Sequence, residues 1–375
     1  MSDNLRVVMD GFNLPGTADF ILGGQWGSEG KGAAAAHVAA ALGDEGRGYD
    51  VITTNAGAQA GHTSTHNGVN RVVFHLPTAA LIQREYACQD PRVQQPFVYL
   101  NAGSIIDPDG LKRELDQNDL TTSDVGIHPN AAVITDECRE AENDSNSAQT
   151  KIASTRKGVG QALSRKVLRS GMLAKDHPYL SKFVGGKGFR FNNFLSRGAR
   201  VLVEVPQGIG LSIDGQFYPH CTSRNCTVQQ AMSDAGIHPT FYGSSMLVLR
   251  TYPIRVGNIV ENGAELGKSG EHYPDQKEIA WDDLKVKAEI TTVTKRVRRV
   301  FTFSYTQMAE AIALTRPRYV YLTFCDYLKD DFDLWMAKFH SELAFMAIDN
   351  RLEMPKILYQ FGPTTDDVKR SISYA

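Results

Sequence analysis

The stretch Ile21-Leu-Gly-Gly-Gln-Trp-Gly-Ser-Glu-Gly-Lys-Gly32 joins a short apolar run to an alanine-rich segment through a turn dense in glycine. The segment 33–42, AAAAHVAAAL, predicts a helix because alanine is the strongest helix former. Glycine lets consecutive backbone N–H groups turn toward one anion, which the positive end of the helix and the Lys31 ammonium would also face. The stretch therefore predicts a phosphate-binding loop. The alternative is a glycine-rich turn that only packs a strand against a helix.

The spacing of this loop differs from the Walker motif G-x-x-x-x-G-K-[ST]. Gln25 stands where that motif has its first glycine, and Gly32 stands where it has a hydroxyl residue. A standard Walker loop is therefore excluded, while the residues suited to phosphate binding are present.

Apolar runs recur along the chain between helical patterns and predict buried parallel strands at 51–54, 98–101, 131–135, 201–205 and 319–323. A chain of 375 residues with 42% hydrophobic content can bury one large core, and no linker rich in Pro, Gly or Ser divides it. The sequence therefore predicts an α/β fold with one domain over 1–375 around a large, mainly parallel sheet flanked by helices. Residues 1–18 are an N-terminal extension, and 141–150 is predicted to be a mobile surface loop.

Five cysteines without a C-x-x-C pair argue against a disulfide framework or a structural zinc site. No apolar stretch reaches the roughly 20 residues of a membrane span, and the first residues do not resemble a secretion signal. We therefore expect a cytoplasmic protein without a membrane partner.

The basic segment Lys295-Arg-Val-Arg-Arg299 has three interpretations. It could bind nucleic acid, but the net charge of −2 and the lack of a wider basic field disfavour a polymeric nucleic-acid partner. It could be a solvated basic face of a loop. The hydroxyl residues at 291, 292 and 294 favour a third interpretation, a loop that binds carboxylates, because guanidinium groups pair bidentately with them.

Gly24-Gln-Trp-Gly-Ser-Glu-Gly-Lys-Gly32 resembles the first signature of the adenylosuccinate synthetases, GQWGDEGKG, at every position but one. Further segments resemble later family signatures in the same order, from about residue 20 to about 368, at 55–63, 101–108, 152–160, 204–208, 255–257 and 294–299. The resemblance implies the family's P-loop-like nucleotide-binding architecture. It also implies a ligase that transfers a γ-phosphoryl group to the purine O6, after which the aspartate nitrogen displaces phosphate at C6.

The resemblance assigns a role to each matching position. The phosphate donor would bind at Gly27, Glu29, Gly30, Lys31, Gly32, Gly61, His62, Thr63, Arg298, Thr323, Phe324, Asp326, Gly362 and Pro363. The acceptor nucleotide would bind at Ser28, Asn55, Gln59, Ser154, Thr155, Arg169, Gln207, Leu211, Thr222, Val256 and Arg296. L-Aspartate would bind at Thr292, Val293, Thr294, Arg296 and Arg298.

Three of these residues are the implied catalytic groups, Ser28, Lys31 and His62, with His62 donating a hydrogen bond to the transferring phosphoryl group. The implied cofactor is Mg2+, bound by the Gly61 carbonyl and by Ser28 through a water molecule. Arg169 matches a family arginine that reaches into the neighbouring subunit's site, so the resemblance also implies a homodimer.

Ser28 is the first departure from the family, which has an aspartate here that takes the purine N1 proton and binds Mg2+. Serine is neutral and a very poor base. It leaves room beside the purine C2 atom, and its Oγ can accept a hydrogen bond from a 2-amino group. The chain thus resembles the phage-encoded branch that acts on dGMP and makes N6-succino-2-amino-2'-deoxyadenylate for 2-aminoadenine DNA. The alternatives are an ordinary synthetase using IMP and GTP, and a non-catalytic purine-nucleotide-binding protein.

Two routes for the loss of the purine N1 proton stay open. Either Ser28 with a bound water removes it, or the proton is lost at a later step.

The second departure is Thr323-Phe-Cys-Asp326, where the family usually has T-K-x-D. Phe324 offers an aromatic face for any purine, and the phage branch is associated with ATP or dATP, which we expect as donor. Asp326 keeps GTP open, because a carboxylate can accept from guanine N1–H and N2–H as well as from the adenine amino group.

Overall fold

The computed structural model describes residues 9–185, 190–261, 264–291 and 295–370. The strands in this part of the chain are β1 Ala18–Gly23, β2 Val51–Thr54, β3 His62–His66, β4 Val69–Val73, β5 Phe97–Leu100, β6 Ile105–Ile106, β7 Val125–Ile127, β8 Ala132–Val133, β9 Val201–Gly208, β10 Tyr242–Arg250, β11 Ile254–Arg255, β12 Ile259–Glu261, β13 Ala264–Gly267, β14 Glu278–Ile279, β15 Arg299–Phe301, β16 Tyr319–Thr323, β17 Lys356–Gln360 and β18 Val368–Arg370.

The α-helices of the same part of the chain are α1 Lys31–Asp44, α2 Thr78–Gln89, α3 Pro108–Gln117, α4 Asp136–Asn143, α5 Ala148–Lys151, α6 Val159–Val167, α7 Phe191–Leu195, α8 Val228–Ala235, α9 Tyr305–Thr315 and α10 Phe332–Asp349. The predicted helix at 33–42 lies within α1. Its alanines from Ala34 onward are buried, and their small side chains let the helix pack closely against the sheet and against α2. None of the helices in the described residues is long and apolar enough to cross a membrane.

Nine strands form the central sheet in the order β18-β17-β16-β10-β1-β9-β2-β5-β7. All neighbours in it run parallel except the edge strand β18, which is antiparallel to β17. Strands β1, β2, β10 and β16 are almost wholly buried, which is typical of a sheet covered by helices on both faces. The predicted α/β fold with a large, mainly parallel sheet is confirmed.

Four of the five predicted strands belong to this sheet, and one does not. Residues 131–135 contribute only β8, which pairs with β6 in a separate two-stranded parallel sheet. Their burial was correctly predicted, because 131–134 are almost inaccessible. An apolar run indicates burial but does not specify the neighbour with which a strand pairs.

The stretch 141–150 was predicted to be a mobile surface loop, and the structure narrows the loop to 144–147, because α4 extends to Asn143 and α5 begins at Ala148. The Glu142 carboxylate is buried and accepts hydrogen bonds from the N–H groups of Gly158 and Gln161, 2.7 and 3.1 Å away. Ser147 caps α5 by accepting from the Thr150 N–H. These polar side chains satisfy backbone groups at helix ends, so polar composition does not indicate a loop over the whole stretch.

The described part of the N-terminal extension packs against the core. Met9 and Phe12 are fully buried, and the Asn13 side chain donates to the Gly48 carbonyl over 2.8 Å. Residues 9–17 are therefore an integral layer of the fold.

The carboxyl ends of the parallel strands all meet at one edge of the sheet. β1 leads into the glycine-rich loop, β2 into Asn55, β10 into Thr251, and β16 into Phe324. Ligands of open parallel sheets bind outside this edge. The motifs singled out in the sequence are thus brought together by the topology.

Candidate active site

The glycine-rich loop is held in shape by a buried carboxylate. Gly27 and Gly30 have φ values of 89° and 90°, a conformation that residues with a side chain rarely adopt. The Glu29 carboxylate accepts from the N–H groups of Gln25 and Gly27 over 3.0 and 2.7 Å. Lys31 Nζ donates to Glu29 Oε2 and to the Gly27 carbonyl over 2.8 and 2.9 Å. The side chains of Glu29 and Lys31 therefore point into the loop and order its backbone.

Ser28 lies on this loop and is held from two sides by arginines. Its carbonyl accepts from Arg250 Nη1 over 3.1 Å, and its hydroxyl accepts from Arg298 Nη1 over 2.9 Å. A guanidinium beside the hydroxyl does not fit a direct bond from Ser28 to a metal ion. Gly61 lines the same cavity and is exposed.

A cavity of about 210 Å3 opens beside the loop. It combines apolar and polar walls, and it brings together many residues predicted to bind the acceptor or the donor, namely Gly27, Ser28, Gln59, Gly61, Ser154, Thr155, Gln207, Leu211, Thr222, Val256 and Arg298. Gln207 has a φ of 68°, and its Oε1 lies 3.0 Å from the point where a Cβ on Gly27 would stand. A side chain at 27 would therefore narrow the cavity.

Other predicted acceptor residues lie outside this cavity. Asn55 is buried and donates from Nδ2 to Asp234 over 2.6 Å, while its Oδ1 is buried without a hydrogen-bond partner in the described residues. Arg169 is exposed, two residues after α6, and donates to the Val167 carbonyl. It does not line the cavity of its own chain.

A second, larger cleft of about 810 Å3 shares Thr155 with the first cavity. Its wall carries five cations and two carboxylates, Arg139, Arg156, Lys157, Arg296, Arg299, Asp107 and Glu278. Arg296 donates from Nη2 to the carbonyls of Ala153 and Ser154 over 3.0 and 3.2 Å. Thr292, Val293 and Thr294, predicted to bind aspartate, lie outside the described residues.

The predicted donor residues at the ends of β16 and β17 lie side by side, because these two strands are parallel neighbours in the sheet. Thr323 donates from its hydroxyl to the Glu29 carbonyl over 2.7 Å, which ties β16 to the loop. Phe324 follows with a φ of 58°, and the Arg250 guanidinium lies 3.8 Å from the centre of its ring. Asp326 is exposed beside them, and Gly362 and Pro363 follow the neighbouring strand β17.

His62 begins β3 and contacts the N-terminal end of α1, where a Cβ on Gly32 would stand 2.6 Å from the Thr63 carbonyl and 3.1 Å from His62 Cβ. His62 Nδ1 lies 3.5 Å from Glu204 Oε2, and its Nε2 is buried without a hydrogen-bond partner in the described ranges. The Glu204 carboxylate also accepts from the N–H groups of Thr78 and Ala79 at the start of α2. Glu204 thus links β9, β3 and α2.

Three residues that contact these side chains were not among the predicted site residues. Glu204 could have been found from the sequence, since it is the single acid in the apolar run 201–205. Arg250 carries a similar signal as the charged end of the buried strand β10. Glu289, which bonds Arg250, has no local signal, because its partner is far away in the chain.

Known proteins with similar sequences belong to one enzyme family. The family model for adenylosuccinate synthetase matches residues 20–184 and 174–334. The N6-succino-2-amino-2'-deoxyadenylate synthase of Salmonella phage PMBT28 is 33% identical, over 94% of this chain and 96% of its own. The adenylosuccinate synthetase of Pyrococcus horikoshii is 28% identical, over 93% of this chain and 96% of its own.

Among solved structures, the succinoaminodeoxyadenylate synthetase of cyanophage S-2L, bound to dGMP and to dATP as an energy donor, superposes with a TM-score of 0.78. It is 31% identical and covers 95% of this chain, which covers 96% of it. The matches extend over both the sheet and the loops at its carboxyl edge. This chain belongs to the adenylosuccinate synthetase family.

Proposed function

We propose that this chain condenses dGMP with L-aspartate, driven by ATP or dATP through a 6-phosphoryl purine, and gives N6-succino-2-amino-2'-deoxyadenylate, the nucleoside diphosphate and phosphate. Membership of the family makes the chain a ligase that forms a C–N bond. Ser28 carries the choice of dGMP, because a neutral hydroxyl stands where the family has a carboxylate. The phage relatives support this choice, a role in 2-aminoadenine DNA synthesis, and a place in the cytoplasm of the infected bacterium.

The purine of dGMP would occupy the smaller cavity, between the loop and Leu211. Ser28 Oγ already accepts one hydrogen bond from Arg298, and its second lone pair can accept one from the 2-amino group. An acceptor without that amino group would leave this hydroxyl without the second bond. Thr155, Thr222 and Gln59 on the cavity wall supply polar groups for the sugar and phosphate.

The donor phosphates would lie against the loop amides and the start of α1, with the base on Phe324 between Asp326 and Gly362–Pro363. Lys31 would have to exchange part of its bonding to Glu29 for a phosphate oxygen. His62 Nδ1 lies 3.5 Å from Glu204 Oε2, which leaves Nε2 as the ring nitrogen that can donate a hydrogen bond to the transferring phosphoryl group.

Mg2+ fits this site with few protein ligands, since it commonly keeps waters and binds phosphate oxygens. The Gly61 carbonyl is the protein atom suited to it, and Ser28 would act through a water. When bound, the ion neutralises charge on the phosphates. The carboxylates of L-aspartate would be recognised by residues 292–294 and by Arg296 and Arg298, of which Arg296 belongs to the cationic wall of the larger cleft.

The acceptor phosphate would also need Arg169 from a second subunit. Arg169 is exposed, and Val167 and Leu168 beside it are apolar and 63% and 70% exposed. An exposed apolar patch next to a functional cation is typical of a subunit interface.

The test is phosphate release by the purified protein with aspartate and Mg2+, comparing dGMP with IMP as acceptor and dATP and ATP with GTP as donor. Turnover with dGMP and an adenine nucleotide supports the proposal. Turnover with IMP alone would show an ordinary adenylosuccinate synthetase, and no turnover with either acceptor would favour a protein that only binds purine nucleotides.

A further inference from the structure

Arg250, the last residue of β10, is bonded to the phosphate-binding loop through both its backbone and its side chain. Its N–H donates to Gln25 Oε1 over 3.0 Å, and its carbonyl accepts from Gln25 Nε2 over 3.1 Å. Its guanidinium is almost fully buried and donates to the Ser28 carbonyl over 3.1 Å. A displacement of Arg250 must therefore shift the Ser28 carbonyl that it binds.

The flat face of the same guanidinium lies 3.8 Å from the centre of the Phe324 ring. Phe324 is further fixed by its carbonyl, which accepts from the Thr251 hydroxyl over 2.7 Å. A buried cation over an aromatic ring is one of the stronger contacts of this kind. The ring on which the donor base would stack is therefore in direct contact with Arg250.

Glu289 joins this arginine to the second arginine at Ser28. It accepts from Arg250 Nη2 and Nη1 over 2.6 and 3.3 Å, and its backbone carbonyl accepts from the Arg298 N–H over 2.9 Å. Arg298 Nη1 in turn donates to Ser28 Oγ. Burial raises the pKa of Glu289, but the charges of Arg250 and Arg298 outweigh it and hold that pKa below its ordinary value. Glu289 thus offsets the repulsion between the buried Arg250 and the partly buried Arg298.

We propose that Glu289 is a positioning residue that couples binding of the donor nucleotide at Phe324 to binding of the acceptor nucleotide at Ser28. A base stacked on Phe324 restrains the ring and with it Arg250, which fixes the Ser28 carbonyl. Glu289 transmits the same restraint to Arg298 and the Ser28 hydroxyl. The identity of the two nucleotides rests on the proposed function, whereas the coupling does not depend on which purine is the acceptor.

The experiment measures the Kd of dGMP by calorimetry, with and without a non-hydrolysable dATP analogue and without aspartate. In the natural protein the analogue should tighten dGMP binding by about 5-fold or more, the usual range of coupling between sites. Glu289→Gln keeps the side-chain shape but removes its charge, and the factor should fall below about 2. Glu45→Gln is the matched control, because Glu45 makes a similar bond of 2.6 Å to Arg47 at the far end of α1.

A merely structural role of Glu289 would weaken both nucleotides and leave the ratio unchanged. The proposal is overturned if folded Glu289→Gln keeps the natural coupling factor, or if the natural protein shows none. If Glu289→Gln does not fold, Arg250→Lys takes its place, because lysine keeps the charge but loses the contact of the guanidinium with Phe324. An unchanged coupling factor in Arg250→Lys also overturns the proposal. If dGMP does not bind, the proposed function fails, and the same titration with IMP decides the coupling by the same criteria.

Discussion

The hydroxyl of Ser28 accepts from Arg298 and lines the cavity proposed for the purine, so it could link recognition of the base to the two arginines that bond Ser28. The carboxylate found here in the family would pair with Arg298 and fill more of the cavity. A serine leaves room and one free lone pair. The proposed function therefore assigns substrate choice to one side chain, and a single substitution can test it.

Ser28→Ala removes the acceptor for the 2-amino group and should reduce the preference for dGMP over dIMP by about 3- to 10-fold, the value of one hydrogen bond. The measurement is kcat/KM for the two acceptors under identical donor and aspartate concentrations. dIMP serves as the internal control, because it lacks only the amino group. An equal loss with both acceptors would show that Ser28 acts on the reaction rather than on the 2-amino group.

Many of the site residues predicted from the sequence line the smaller cavity, because the family motifs assign a role to each numbered position. The sequence did not identify what holds them. Arg250 and Glu289 are far apart in the chain, and their bond exists only because β10 and the segment before β15 meet beside the loop. Nor did it indicate that Lys31 and Glu29 bond to each other and point into the loop.

At the scale of elements, the end of β9 connects β3 and α2 through one side chain. Glu204 is buried, lies near His62 on β3, and accepts the first free N–H groups of α2. A carboxylate at a helix N-terminus is favoured by the helix dipole. The same carboxylate lies 3.5 Å from the imidazole of His62, so the helix start and the proposed catalytic histidine share one group.

Glu204→Gln should lower kcat by about 10-fold or more, because the imidazole proposed to face the transferring phosphoryl group would lose the carboxylate that positions it. The free energy of unfolding should fall by about 1 to 2 kcal/mol through the loss at α2. Glu114→Gln is the matched control, since buried Glu114 bonds His75 and the N–H groups of residues 74–76 in the same manner and lines neither the cavity nor the cleft. We expect it to lose stability but keep kcat, and a similar kcat loss in both variants would contradict a specific role of Glu204.

The elements show what sequence patterns can decide. Helix α1 and four strands of the sheet were predicted because alanine content and apolar runs report burial directly. The predictions of a strand in the main sheet at 131–135 and of a loop over 141–150 were wrong in part for the same reason. Pairing of β8 with β6, and the burial of Glu142 against Gly158, are tertiary contacts that no local pattern encodes.

At the scale of the whole molecule, Asp19 joins the N-terminal segment to the sheet. Its carboxylate is fully buried and accepts from the Asn13 N–H, the Tyr49 hydroxyl and the Ser244 N–H over 2.7, 2.9 and 2.8 Å. Burial raises its pKa from 3.8 to about 6, despite these hydrogen bonds. The folded protein therefore binds a proton at Asp19 between about pH 4 and pH 6 that the unfolded chain has released.

The sign of this linkage means that Asp19 stabilises the fold most below its unfolded pKa, and that the stabilisation is lost as pH rises toward 6. The difference in free energy of unfolding between the natural protein and Asp19→Asn should therefore fall by about 2 to 3 kcal/mol from pH 4 to pH 6. Urea unfolding at several pH values measures it. Groups with lowered pKa values, such as Glu114, cancel in the comparison. A pH-independent difference would show that Asp19 stays ionised.

Arg169 does not line the cavity of its own chain, so its proposed role requires a second subunit. Arg169→Ala and His62→Ala should each abolish most turnover. If Arg169 serves the neighbouring subunit, a dimer containing one of each variant has one site with both residues intact. Mixing equal amounts after dissociation should then restore about a quarter of the natural kcat, since half of the dimers are mixed and each has one working site. No recovery in mixtures whose mixed dimers are demonstrated by mass spectrometry would show that Arg169 acts within its own chain or only in folding.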